Sequence, residues 1–96
     1  MRIKGLIWDN INIAHIGLHG ITKKDVEEVC LREFAVKEAK EGRLMIVGTN
    51  NSEKFIAVII DPEPEEGVYY PVTARTADKK EQKIYQEEKG KHEQED

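Results

Sequence analysis

The amino-acid sequence has few of the residues and motifs on which cofactor and redox chemistry depend. Cys30 is the single cysteine among 96 residues, which excludes both an intrachain disulfide and a zinc site of several thiolates. A glycine-rich phosphate loop, a Cys-x-x-Cys pair and a serine nucleophile elbow are also missing. The longest uninterrupted apolar run, residues 55–60, is far shorter than the roughly 20 residues that cross a bilayer. We therefore predict no cofactor, no bound metal and no membrane partner.

The chain is too short for more than one domain. Hydrophobic residues make up 39% of it and charged residues 35%, enough for one modest core, because a domain of this size buries about 60–65% of its unfolded surface. Residues 1–6 lack the continuous apolar segment of a secretory signal, which favours a cytoplasmic protein. Residues 89–96 contain no apolar side chain. We predict a single domain over residues 1–88 and a disordered, charged tail over 89–96.

Negative charge predominates, but it is concentrated in two segments. The formal net charge is −4, from 15 basic and 19 acidic residues. Residues 61–66 carry four acids, and residues 86–96 carry five acids and two bases, so the rest of the chain holds 13 bases and 10 acids, or +3. A body of that charge can bind a polyanion such as RNA, although weakly.

A short first helix is indicated after a β-rich N-terminal segment. Asp9 is suited to cap it, and Gly20 is suited to end it in the left-handed conformation. Between them, apolar residues recur at helical spacing. We expect the buried face of this helix to consist of Ile11, Ala14 and Leu18.

A second helix has the clearest start signal in the chain. Thr22 and Asp25 have the spacing of a capping box, and Ile21 can pack across the helix start. Its expected buried stripe consists of Val26, Val29, Cys30 and Phe34.

The remaining apolar segments alternate or are rich in β-branched residues, and turn-forming residues separate them. Pro71 cannot donate to a strand ladder, so its strand is expected at an edge of the sheet or on a bulge. A last helix is predicted over residues 76–88. The order β-α-α-β-β-β-β-α predicts an α+β fold with an antiparallel meander sheet packed by helices. The five predicted strands cover residues 2–8, 35–40, 43–49, 55–60 and 68–74.

Residues near the last helix have the types that metal-free RNA cleavage requires. Arg75 precedes the helix, and Glu81 and Tyr85 lie four residues apart on it. A guanidinium beside a carboxylate and a phenol can bind phosphate and transfer a proton. On spacing alone, the plainer interpretation of a surface salt bridge with a core tyrosine is favoured. A few phosphate contacts are expected from Lys79, Lys80 and Lys83.

Two histidines share one face of the first helix. His15 and His19 are four residues apart, so they could bind a divalent metal if a third ligand converged on them. Without a third ligand they are ordinary surface or half-buried histidines. His19 also precedes Gly20, where a cation is favoured by the helix C-terminus.

The order of these motifs resembles that of the BrnT family, the toxin component of type II toxin–antitoxin modules. The opening of that family is similar to Trp8-Asp9, followed ten residues later by His19-Gly20-Ile21 and then by a helix containing Val26-Glu-Glu-Val29. Its closing Ser-Ala-Arg-x-Ala…Glu…Tyr signature is similar to Thr73-Ala-Arg-Thr-Ala77 with Glu81 and Tyr85. The resemblance covers residues 7–88.

The resemblance implies a RelE-like fold, metal-independent cleavage of an RNA substrate, and neutralisation by a cognate antitoxin protein. It implies that Arg43 and Arg75 stabilise the pentavalent phosphate, that Glu81 or His19 acts as base, and that Tyr85 positions the substrate or the helix. The basic residues expected along the last helix are partly replaced by acids here, so we expect a weak nuclease.

Two other functions stay open. A non-catalytic protein-binding module of the same fold would use the edge of the strand at residues 68–74 and the last helix to dock a partner. A regulatory metal-binding domain would use His15 and His19. Homo-oligomerisation, the RNA preference and the identity of the antitoxin are left open by the sequence.

Overall fold

The computed structural model describes residues 1–95, and the side chains of residues 1–89. Its helices and strands follow the order β-α-α-β-β-β-β-α, which confirms the predicted α+β class. None of the helices in residues 1–95 is long and apolar enough to cross a membrane. In chain order the elements are β1 (Gly5–Leu6), α1 (Asn10–Gly17), α2 (Lys23–Leu31), β2 (Phe34–Glu38), a short 3₁₀ turn (Lys40–Gly42), β3 (Leu44–Thr49), β4 (Phe55–Pro62), β5 (Val68–Thr76) and α3 (Lys79–Glu95).

The five strands form one mixed sheet in the order β1-β5-β4-β3-β2. The last four strands make the predicted antiparallel meander. However, β1 runs parallel to β5, and Gly5 pairs with Val68 and Leu6 with Tyr69. The sequence analysis did not assign a partner to the first strand, and its parallel pairing makes the sheet mixed. A parallel pairing is sterically open here because a long connection, and not a tight hairpin, joins the two strands.

Strand β5 lies between β1 and β4 for only part of its length. Strand β1 pairs with Val68 and Tyr69 alone, so the rest of β5 keeps an outer side without a strand partner in residues 1–95, and β2 forms the edge at the other end of the sheet. Pro71 pairs with Ile60, where the register between β4 and β5 shifts. A bulge tolerates a residue that has no N–H. Pro71 therefore lies on a bulge, one of the two positions predicted for it, and the edge expected for residues 68–74 is covered by β1 only at Val68 and Tyr69.

The sheet is the middle of three layers. Alternate residues of β3 and β4 face opposite sides, and both sides are covered because residues 55–60 are apolar at every position. The larger cluster joins the sheet to α1 and α2 and consists of Ile16, Ile21, Val26, Val29, Ile46, Ile56, Val58, Ile60 and Ala74. The smaller cluster joins it to α3 and consists of Val47, Ala57 and Ala77, with Met45, Phe55 and Tyr85 packed against them.

Helix α1 is bounded by the predicted signals. Asp9 caps it in a reciprocal capping box with Asn12. At the other end Gly20 adopts a φ of +75°, and the amide of Ile21 donates to the carbonyl of Ile16 at 3.1 Å. This is a Schellman ending, in which glycine takes the left-handed conformation without steric cost. It returns the buried Ile21 to the core beside Ile16.

The buried face of α1 is opposite to the predicted one. Asn12 and Ile16 are buried, whereas Ile11 is 75% and Leu18 is 83% exposed, and Ala14 is exposed as well. The helix is apolar on several sides, so periodicity alone does not decide its orientation. The side chain of Asn12 decides it, because its Nδ2 donates to the carbonyl of residue 7 at 2.9 Å and holds this face against the sheet.

Helix α2 is formed as predicted. Thr22 and Asp25 make the expected capping box, and Val26 and Val29 are buried. The helix ends at residue 31, so Phe34, expected on its stripe, is the first residue of β2.

The turn after β3 docks on the start of α2. Asn50 Nδ2 donates to Asp25 Oδ1 at 3.0 Å, and Asn50 Oδ1 accepts from the amide of Ser52 at 3.0 Å. The left-handed residue of this turn is Glu53, with a φ of 66°. The side chain of Asn50 stabilises the turn through these hydrogen bonds.

Helix α3 extends from Lys79 to Glu95, whereas residues 76–88 were predicted to be helical. Asp78 caps its start through a reciprocal pair of hydrogen bonds with Glu81, so the first helical residue is Lys79 and not residue 76. The predicted tail over 89–96 overlaps the end of this helix, and residue 96 lies outside the described residues.

Candidate functional site

A two-pronged ion pair joins the end of β5 to the start of α3. Arg75 Nη1 donates to Glu81 Oε1 and Arg75 Nη2 donates to Glu81 Oε2, both at 2.7 Å. The short turn between strand and helix brings the two side chains together. This fork geometry fixes the orientation of the guanidinium as well as its position.

Glu81 is an acceptor for the helix start as well as for Arg75. It is 7% exposed, and Glu81 Oε1 also accepts from the amide of Asp78 at 2.9 Å. The hydrogen bonds from Arg75 lower the pKa of Glu81, and they outweigh the opposing effect of burial. The carboxylate is therefore ionised at neutral pH, and a carboxylate with a lowered pKa is a weak general base.

Arg75 keeps donors available for a ligand. Its side chain is 47% exposed. Within the part of the chain that the structure describes, it makes three hydrogen bonds, the third from Nη1 to the carbonyl of Thr76 at 3.3 Å. Two of the five N–H donors of a guanidinium are thus left for a ligand. The hydrogen bonds to Glu81 raise the pKa of Arg75, so its charge is permanent.

Tyr85 lies one helical turn beyond Glu81 and faces the sheet. Its ring meets Phe55 edge to face, with ring centroids 5.7 Å apart at 76°. It packs against the smaller core cluster. These contacts agree with the core interpretation of Tyr85, in which the ring anchors α3 on the sheet.

Arg43 is held at the opposite end of the sheet. Its Nε donates to both carboxylate oxygens of Asp61, at 3.2 and 3.3 Å, and its Nη1 lies 3.6 Å from Glu41 Oε2. Arg75 stands opposite Ala57, four residues before Asp61 on β4. At roughly 3.3 Å per residue, the two arginines are about 13 Å apart along the strands. The structure does not bring them to one phosphate-sized site.

His19 lies on a different layer from Arg75 and Glu81. It follows α1, which packs on the face of the sheet opposite to α3. Its ring is exposed and stacks on that of His15, with centroids 6.1 Å apart at 29°. In the described part of the chain, no group of three His, Cys, Asp or Glu side chains is placed to hold a metal ion.

Three lysines border the Arg75–Glu81 pair. They are exposed on the first turns of α3, where the positive end of the helix dipole adds to their field. The neighbouring acids Asp78 and Glu81 offset part of this charge. The three are Lys79, Lys80 and Lys83.

Two carboxylates matter more than the sequence suggests. Asp78 caps α3 and braces Glu81, and the Asp-x-x-Glu spacing is a local signal for that role. Asp61 holds Arg43 across two strands, and no local pattern announces a pair that strand register creates.

No protein-family model matches the chain, and the curated proteins contain no match to it either. The resemblance to the BrnT family therefore rests on the motifs quoted above. Of the residues carried over by that resemblance, Arg75, Glu81 and Tyr85 form one connected unit, whereas Arg43 and His19 lie elsewhere.

Proposed function

We propose that the chain is a BrnT-like toxin with a RelE-like fold, which cleaves RNA in the cytoplasm without a metal and is neutralised by a cognate antitoxin protein. The observation that carries the proposal is the Arg75 guanidinium, held at the surface by Glu81 with two N–H donors available. An arginine fixed in this way is suited to bind a phosphate group.

In this proposal Arg75 supplies the electrostatic part of the reaction. When the 2′-hydroxyl of RNA attacks the neighbouring phosphorus it gives its proton to solvent water, the bond to the 5′-oxygen breaks, and the departing 5′-oxygen takes a proton from water. Negative charge grows meanwhile on the non-bridging oxygens. A guanidinium that is already oriented stabilises this charge without reorganising. Glu81 is a positioning residue, because both of its oxygens are hydrogen-bonded and its pKa is lowered.

The surroundings of Arg75 supply modest affinity for RNA. Lys79, Lys80 and Lys83 lie beside it, and the large acidic segment at residues 61–66 belongs to another loop. Binding through so few cations is weak, and it weakens further as salt rises. His19 and Arg43 lie away from Arg75, so in this proposal they contact other parts of the RNA and do not take the base and phosphate roles that the resemblance implies.

The proposal is tested with the purified full chain, single-stranded RNA and a chelator. We expect slow cleavage that leaves 2′,3′-cyclic phosphate ends. Arg75→Ala should reduce the cleavage rate about 10²- to 10³-fold, the usual effect of removing one donor to a developing anion. The same substitution leaves the Glu81 carboxylate buried without its partner, so it should also lower the free energy of unfolding by about 1–2 kcal/mol.

Two variants separate catalysis from folding. Arg2→Ala removes an equal charge from an exposed position and should leave cleavage unchanged. Glu81→Gln keeps Arg75 but loosens it, so a smaller loss than for Arg75→Ala is expected. If each variant loses cleavage activity only in proportion to its loss of folding stability, the Arg75–Glu81 pair is structural and not catalytic. Absence of cleavage by the intact chain would refute the nuclease.

A second function, a non-catalytic protein-binding module, is favoured by the exposed apolar face of α1. Ile11 and Leu18 are largely exposed, and a group of exposed apolar side chains on one helix face is typical of an interaction site. This function predicts a stable complex with the product of an adjacent gene and no RNA cleavage by the purified chain. Ile11→Asp should then dissociate the complex without changing the fold.

A further inference from the structure

Strand β2 forms one edge of the sheet. It spans Phe34–Glu38 and pairs with β3 on one side, whereas the strand at the opposite edge, β1, has two residues. The peptide groups of alternate β2 residues therefore point outward, away from β3. An edge of this kind accepts a further strand through main-chain hydrogen bonds.

We propose that β2 pairs antiparallel with β2 of a second copy of the chain, with the two-fold axis at Ala35, so that two sheets join into one. The sequence Arg32-Glu-Phe-Ala-Val-Lys-Glu38 is complementary to itself when it is reversed about Ala35. Arg32 then faces Glu38, Glu33 faces Lys37, and Phe34 faces Val36, each of these twice in the dimer.

The backbone around β2 fits this pairing. Arg32 has a φ of −104° and a ψ of −176°, so the chain is already extended just before β2. Two residues at equal distances from Ala35 are an even number of positions apart, so both direct their N–H and C=O groups to the same side of the strand. The outward groups of one copy therefore meet the outward groups of the other in the antiparallel ladder. Opposite side chains also fall on the same face of the joined sheet.

Neighbouring registers lose the complementarity. An axis at Val36 places Lys37 against Ala35 and Glu38 against Phe34. An axis at Phe34 places Glu33 against Ala35. Each alternative sets a charge against an apolar side chain, so the charge pattern selects the axis at Ala35.

The exposed side chains of β2 have a reason to be covered. Val36 is 41% exposed and lines a groove of about 530 Å³ beside the strand, which Met1, Phe34 and Tyr85 also line. In the dimer the partner's Phe34 would cover Val36. Arg32 already forms an ion pair with Glu53 at 3.3 Å, which competes with its pairing to Glu38 of the second copy. The pair of Glu33 with Lys37 is therefore the better one to test by substitution.

The dimer is independent of RNA cleavage. In the order β1-β5-β4-β3-β2, the strand that carries Arg75 lies three places from β2. Pairing through β2 therefore leaves the Arg75–Glu81 pair accessible, and either proposal can fail without the other.

The proposal is tested by charge reversal, with the mass of the full chain measured by sedimentation over a dilution series. We expect a dimer for the natural sequence. Glu33→Lys and Lys37→Glu should each weaken it about tenfold or more, because each reversal turns two attractive cross-strand pairs into repulsive ones. The double variant Glu33→Lys with Lys37→Glu restores both pairs and should restore the dimer.

Matched reversals elsewhere control for net charge. Glu65→Lys and Lys24→Glu change exposed residues outside β2 and should leave the dimer unchanged. Far-ultraviolet circular dichroism and thermal unfolding confirm that each variant is folded. A chain that is monomeric at every concentration would overturn the proposal, and so would a dimer that single reversals leave intact or that the double variant does not restore. Binding of a different protein to β2 of a monomeric chain would overturn it as well.

Discussion

Single side chains of this protein take their chemistry from where the fold puts them. Glu81 is ionised because Arg75 and the amide of Asp78 bind its oxygens. Cys30 differs from Glu81 in that the fold favours its neutral form. Burial, with a smaller effect from the charge of Glu27, raises the pKa of its thiol to about 12. The cysteine is therefore a thiol at physiological pH and not a nucleophile.

Cys30 should react slowly with thiol reagents in the folded chain. Reaction requires the thiolate, and at pH 8 its fraction should be lower than in the unfolded chain by a factor of about 10² or more, given an ordinary cysteine pKa of about 8.5. Timed alkylation with iodoacetamide, with and without urea, measures this ratio. Equal rates in the two states would mean that the thiol is accessible and ionisable in the fold.

Among the elements, α1 shows most clearly that the ends of a helix and its rotation about its axis are set by different contacts. Its ends follow from local signals, Asp9 at the start and Gly20 at the end. Its rotation about its own axis depends on the hydrogen bond from Asn12 to the carbonyl of residue 7. That bond buries a polar side chain and leaves Ile11 and Leu18 in solvent, where a partner can reach them.

Two glycines of this segment should respond to alanine in opposite ways. Gly20 has a φ of +75°, so Gly20→Ala should lower the free energy of unfolding by about 1 kcal/mol. Gly17 lies within α1, and a Cβ there would meet no atom within 4 Å. Gly17→Ala should raise the same quantity by up to about 1 kcal/mol. Urea titration of both variants measures the difference, and effects of equal sign would contradict the Schellman ending.

For the molecule as a whole, carboxyl groups in several layers make the free energy of unfolding depend on pH. Within residues 1–89, three carboxyl groups have a lowered pKa in the fold. The Asn12 amide is the chief cause for Asp9. For Asp25, burial opposes the shift, but the hydrogen bonds from Thr22 and Asn50 outweigh it. For Glu81, the hydrogen bonds from Arg75 are the chief cause.

The stability of the chain should therefore fall in acid. A lowered carboxyl pKa contributes stability above the pKa of the unfolded chain, about 4 for these residues, and the contribution is lost as the pH falls through the folded-state pKa. We expect the free energy of unfolding to be flat near neutral pH and to decline from about pH 5 downward. Urea titrations across this range measure it, and Glu81→Gln should make the decline shallower. A constant value would contradict the shifts.

Local and long-range parts of the candidate site were predictable to different degrees. Arg75, Glu81 and Tyr85 lie within one strand-to-helix unit, so spacing along the chain was sufficient to place them together. Arg43 and His19 belong to other elements, and their distance from Arg75 depends on strand register and on the layer to which α1 belongs. Spacing carries no information about either, because both are set by packing between elements distant in sequence.

The sequence by itself determined the α+β class, the N-cap of α1, the capping box of α2 and the turn at Gly20. These features depend on neighbouring residues, which act at the same spacing in any fold. Only the tertiary structure decided the parallel pairing of β1 with β5, the buried face of α1, the open edge at β2 and the separation of Arg43 from Arg75. Each of these depends on which distant segments share the buried surface, a choice made by the free energy of the whole core.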